Sequence, residues 1–168
     1  DLDIKDTFAF ELEAGWMVPL PWKPRWSLGM AWASGDDNAQ DGNTNTFIPL
    51  NQDVDGRLGK ADLFALQNIR CWYTTVTCNP LDNEDLTAGI SYLKFNAFEE
   101  GDAMGAGGNA NLTGSDVNDL ADEIDIFVAY KLSDNASLKG CWSWIEPDDM
   151  IHDVEIAGDD NGLGNSPA

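Results

Sequence analysis

The chain has 168 residues, enough for one domain and with no reason to divide it. Thirty acidic against nine basic residues leave a formal charge of −21, which excludes nucleic acid and anionic headgroups as direct ligands and leaves cationic or divalent partners open. No apolar run approaches the ~18 residues of a membrane helix, so a helical membrane protein is excluded, whereas a β-barrel, whose signal is alternation, is not.

From Thr7 to Val18 the residues alternate, with Phe8, Phe10, Leu12, Ala14 and Trp16 on one face and Thr7, Ala9, Glu11, Glu13 and Gly15 on the other. This is the period of a strand with one apolar side, and it sets two carboxylates mid-strand on the inner face. Pro19, Pro21 and Pro24 then interrupt any ladder and predict a short turn. The next stretch, Arg25 to Gly35, alternates most strictly: Trp26, Leu28, Met30 and Trp32 against Arg25, Ser27, Gly29, Ala31 and Ala33. Its second face is small and weakly polar, as suits a crowded wall lining a space. Tryptophans near both ends of its apolar face match the two headgroup levels of a bilayer.

A long polar segment runs from Gly35 to about Asp62, too long for an ordinary connection. Ala61 to Asn68 loses the alternation and reads as a helical turn or an irregular strand entry. A third strand is expected from Asn68 to Cys78, with Ile69, Cys71, Tyr73, Thr75 and Thr77 opposing Arg70, Trp72, Thr74 and Val76. A short turn around Asn79–Asp85 leads to a fourth strand, Leu86 to Phe98, whose pattern decays beyond Lys94. Glu99 to Asp122 is a second long polar loop. The fifth strand, Glu123 to Leu132, sets Ile124, Ile126, Val128, Tyr130 and Leu132 against Glu123, Asp125, Phe127, Ala129 and Lys131. After a tight turn at Ser133–Ala136, a sixth strand to Ile145 carries Leu138, Gly140, Trp142 and Trp144 outward. The chain ends in a third acidic, glycine-rich segment.

Short and long connections thus alternate, so short turns gather at one end of the sheet and long loops at the other. Outer-membrane barrels have this asymmetry and sandwiches have no cause for it. The expected fold is all-β, an antiparallel up-and-down transmembrane β-barrel of which residues 1–168 form a single segment. Six strands fall short of the ~8 of the smallest closed bacterial barrels, and lipid tolerates no open edge. With no initiator Met or signal-peptide pattern at Asp1, the chain is expected to be part of a larger barrel, completed by strands outside this sequence or by other chains.

Several side chains are candidates for function. Glu11, Glu13, Arg25, Arg70, Glu123, Asp125, Lys131 and Lys139 are expected to line a pore, where such charges tune selectivity. Trp16, Trp26, Trp32, Tyr130, Trp142 and Trp144 are expected to face the membrane. Asp36, Asp37 and Asp41 supply the oxygen ligands that calcium takes, although their spacing fits no EF-hand loop. His152, the only histidine, is flanked by acids in the terminal segment and reads as solvent-exposed. Glu11 and Glu13 as an acid–base pair would need a sugar cleft, and no nucleophile elbow, phosphate loop or dinucleotide fingerprint is present. No enzymatic activity and no cofactor other than calcium in the loops is expected. Cys71, Cys78 and Cys141 lack metal spacing, and the first two, roughly 23 Å apart on one strand, cannot bridge. Three packed free thiols are expected.

The segments from Leu20 to Arg25, Ala33 to Asn38 (ASGDDN), Ala61 to Asn68 (ADLFALQN), and Glu123 through Leu132 to Asp149 resemble the alginate-export family of bacterial outer-membrane β-barrel porins. The likeness spans most of the chain in order. It implies the C-terminal portion of a barrel in the bacterial outer membrane and passive passage of a small hydrophilic solute or cation. Outer-membrane lipid and lipopolysaccharide, the latter bridged to acidic loops by divalent ions, are the expected partners, and nucleic acid is not. Two other readings stay open: a soluble β-sandwich binding or adhesion module stabilised by calcium, and a barrel scaffold within a larger surface assembly.

Overall fold

The computed structural model describes residues 3–37, 43–49, 58–99, 102 and 118–148. Among these residues eight strands follow in chain order: β1 (Asp3–Ile4), β2 (Ala9–Met17), β3 (Arg25–Ala33), β4 (Asn43–Thr44), β5 (Ile69–Cys78), β6 (Leu86–Ala97), β7 (Asp119–Ser133) and β8 (Ala136–Pro147). Six of them form one antiparallel sheet in the order β2-β3-β5-β6-β7-β8, so every strand pairs with its neighbour in sequence. The two-residue strands β1 and β4 pair in parallel, a contact the sequence does not announce. The protein is therefore all-β, and its main sheet is an up-and-down meander with β2 and β8 as edges. Among the described residues no second layer stacks on the apolar face.

The faces follow the alternation. Trp32 opposes Phe10 and Arg70, Leu28 opposes Ala14 and Thr74, and Ile90 opposes Val76 and Ile126, so the large apolar residues share one face. They stay largely exposed: Trp16 is 69% accessible, Leu28 50%, Ile126 60% and Trp142 72%. On the other face Ser27, Ala33, Ile69, Cys71, Phe95 and Ala97 are buried. Two glycines there seat aromatic rings from the neighbouring strand, Gly29 under Tyr73 and Gly89 under Phe127, positions where any Cβ would collide with the ring.

Strand β7 begins four residues earlier than the sequence predicts. The ladder steps from Phe95–Ala121 to Asn96–Asp119, which leaves Leu120 as the extra residue of a bulge. Leu120 turns into the core, fully buried, and Asp119 is re-aimed to the apolar side beside Lys94 and Asn96. Strand β6 likewise does not decay at Lys94. Lys94 lies at the rim of the apolar face, within 3.7 Å of Asp119 and Asp122 and 3.3 Å of Asp148.

The two ends of the sheet are held differently. At the short-turn end, Asn79 N donates to Trp22 O at 2.7 Å, Trp22 N to Asp82 Oδ1 at 2.8 Å, and Lys131 N to Asp85 O at 2.8 Å. Lys23 pairs with Glu84 across the same turns, and its ammonium holds the Glu84 carboxyl below the ordinary glutamate range. At the long-loop end Asn68 is the knot. Its backbone sits at φ 45°, which asparagine tolerates, and its amide accepts from Glu99 N at 2.8 Å and donates to Glu99 O at 3.1 Å.

Candidate functional site: the polar face and its inward segment

The first hairpin sets Glu11 and Glu13 opposite Ala31 and Gly29, on the polar face. Small partners leave room for longer side chains to reach across. Arg25 uses that room, donating Nη2 to Glu13 Oε1 at 2.5 Å while its guanidinium covers Gly15. Two strands further along, Tyr73 donates its hydroxyl to Glu11 at 3.2 Å, and Thr75 bonds Ser91 at 2.9 Å. A hydrogen-bonded polar band thus crosses β2, β3, β5 and β6.

The band meets a segment that the sequence reads as the end of a long polar connection and, from Ala61, as a helical turn or an irregular strand entry. Residues 58–66 adopt no helix and turn onto the polar face instead, where Leu58, Phe64 and Ala65 are buried and Phe64 packs on Phe95 with ring centroids 4.7 Å apart. Burial of these apolar side chains is the force that folds the segment inward. Two carboxylates of β7 fix its height: Ala61 N donates to Glu123 Oε1 and Lys60 N to Asp125 Oδ2, both at 3.0 Å. Ser143 of β8 completes the set, donating to Asp125 Oδ1 at 2.5 Å. Glu123 and Asp125 are each 1% exposed, a burial that carboxylates accept only with such donors. Gly59 is obligatory: its φ is +88°, and a Cβ there would overlap the Glu123 carboxylate.

The structure brings together Glu11, Glu13, Arg25, Glu123 and Asp125 on this face, with Lys139 opposite Ala129 on the same side. Lys131 shares the face but lies at the short-turn lip, its ammonium 2.8 Å from Asp134. Arg70 is a correction. It pairs with Trp32 and Asn96 on the opposite face, stacks 4.7 Å from the Phe98 ring centroid and donates to Phe98 O. Its charge suggests the polar side, but strand parity puts it with Trp72, and a position one residue into the strand lets the guanidinium reach the rim.

Trp16, Trp26, Trp32, Tyr130, Trp142 and Trp144 all fall on the apolar face. Trp26 satisfies its indole N–H internally, donating to Thr74 Oγ1 at 2.8 Å, and Trp32 meets Phe10 and Trp72 in an aromatic row.

Asp36 is buried, and its backbone amide donates to Asp102 Oδ2 at 2.8 Å, an oxygen that also accepts from Thr46 Oγ1 at 2.6 Å. Asp41 and His152 lie outside the described residues. Among the described residues no three His, Cys, Asp or Glu side chains converge as a metal site. All three cysteines are free, and Cys71 is buried, Cys78 half-buried and Cys141 exposed, so the expectation of packing fails for the last.

Sequence reasoning misses the inward segment. Its signal is Leu63-Phe64-Ala65-Leu66, an apolar run inside a polar connection, which needs a surface to cover it. Compared with known proteins, the chain matches the family model described as alginate export over residues 3–157. No curated protein matches it.

Proposed function

The chain belongs to the alginate-export family, and from that premise we propose that its six-stranded sheet is part of the wall of an outer-membrane channel passing small hydrophilic solutes or ions by diffusion. The family is one of transport proteins of the outer membrane and not of enzymes. One observation carries the finer reading: one face of the sheet exposes Trp16, Leu28, Ile126 and Trp142 while the other encloses Ser27, Ser91, Glu123 and Asp125, the polarity a wall needs between lipid and an aqueous lumen.

On this reading Glu11, Glu13, Arg25, Glu123, Asp125, Lys131 and Lys139 face the lumen, and the tryptophans with Tyr130 face lipid. The segment 58–66 then narrows the passage from within. Edges β2 and β8 must be paired by further strands, because unpaired backbone is not tolerated in hydrocarbon. The acidic loops suit divalent ions bridging to lipopolysaccharide phosphates. With 30 acidic residues against 9 basic, the passage favours cations and neutral solutes weakly.

Reversal potentials of the full-length protein in planar bilayers under a KCl gradient test this. A modest cation preference is the expected result, and clear anion selectivity would sink it.

A further inference from the structure

We propose that Lys60 is the specificity-determining residue of the inward segment, the one base that segment presents to the passing solute, held in place by Phe127. The inference rests on the channel reading above and adds a residue that neither strand alternation nor charge counting on the wall selects.

Three observations carry it. First, the backbone of Lys60 is fixed at a set height, since its N–H and that of Ala61 are both bound by buried carboxylates. Second, its ammonium is not free to wander: Nζ lies 5.5 Å from the centroid of the Phe127 ring, within the range of a cation–π contact. That ring is itself seated, because it covers Gly89, where a side chain would collide with it. Third, Lys60 borders two cavities on the polar face. One, of about 190 Å³, includes Glu13 and Asp125, and the other, of about 350 Å³, includes Lys139 and Cys141. Lys60 therefore stands at the divide between the acidic and the basic part of the surface, exposed, while its neighbour Gly59 is buried.

The consequence is electrostatic. The wall strands offer four carboxylates, at Glu11, Glu13, Glu123 and Asp125, against three bases, at Arg25, Lys131 and Lys139, and the inward segment adds Lys60 and, two residues on, Asp62. A unit charge about 8 Å from an ion's path in water changes that ion's occupancy about twofold, in opposite senses for cation and anion. Removing it should raise the ratio of potassium to chloride permeability about fourfold, and reversing it should raise the ratio more than tenfold.

The test uses the full-length protein in planar bilayers under a KCl gradient, with folding of each variant checked by heat-modifiable gel mobility. Lys60→Gln and Lys60→Glu should raise the permeability ratio in that order. Gly59→Val, which alters no charge but forces a side chain against Glu123, should move the ratio in the same direction by dislodging Lys60. Conductance with an unchanged ratio in both Lys60 variants overturns this inference and leaves the channel reading standing. If only Gly59→Val leaves the ratio unchanged, the placement of Lys60 against Phe127 is not what matters and the positional claim fails. Absence of any conductance in the wild type removes the channel reading and this inference together.

Discussion

The two faces of β3 differ in a way that inverts the pattern of a water-soluble protein. Trp26 and Leu28 are about half exposed, while Ser27 between them is fully buried. In water the arrangement leaves large apolar area unburied along a whole sheet face, far beyond the few hundred Å² that a soluble monomer exposes. In a bilayer the same exposure is matched by lipid, and the polar face keeps its serines and carboxylates near water and near one another. The solvent each face expects can therefore be read from which side chains the fold troubles to cover.

The most severe way to break that contrast is to charge the lipid side. Leu28→Arg, mid-strand on the apolar face, should lower folding stability in vesicles by about 2–4 kcal/mol, the cost of arginine near a bilayer midplane. Cys141→Arg, at an exposed position on the opposite face, should change it by no more than about 0.5 kcal/mol. Urea titrations followed by tryptophan fluorescence would compare them, and equal losses would mean that the faces do not meet different solvents.

A pair of glycines sharpens the comparison. Gly89→Ala pushes a methyl into the Phe127 ring on the crowded face and should cost about 1–3 kcal/mol. Gly140→Ala meets only Val128, at 3.7 Å on the open face, and should be neutral or stabilising by about 0.4–1 kcal/mol through the unfolded chain. The same titrations decide between them.

The smallest effect is at the short-turn end. Because Lys23 lowers the Glu84 pKa in the folded protein, the pair stabilises the turns above the ordinary glutamate range, and that contribution is lost as pH falls through the lowered value. Glu84→Gln should remove this slight acid sensitivity and leave stability at neutral pH almost unchanged. A carboxyl NMR titration that finds Glu84 at or above the ordinary value would refute it.

Most of the sheet was legible in the sequence, because alternation fixes which residues share a face and turn chemistry fixes where strands reverse. That Arg25 and Glu13 share a face follows from parity. Three features were not legible, each for a physical reason. The bulge at Leu120 breaks the period of two, so alternation could not be followed upstream of Glu123. Arg70 carries a charge that suits the polar face, whereas its neighbours Trp32 and Trp72 decide its side. The inward turn of residues 58–66 depends on a long-range contact of Phe64 with Phe95, and the local apolar run Leu63–Leu66 says only that some surface must cover it, not which one. The alternating short and long connections were legible because hairpin geometry is local.

Trp26 and Trp32 lie six positions apart on β3, about 20 Å along the strand. A strand tilted by about 40° brings that to about 15 Å along the membrane normal. On the channel reading the indole pair matches a thin hydrocarbon slab, and vesicles of short-chain lipids should accept the wall with less distortion than those of long-chain lipids. Acyl length becomes a physical variable in any reconstitution of this protein.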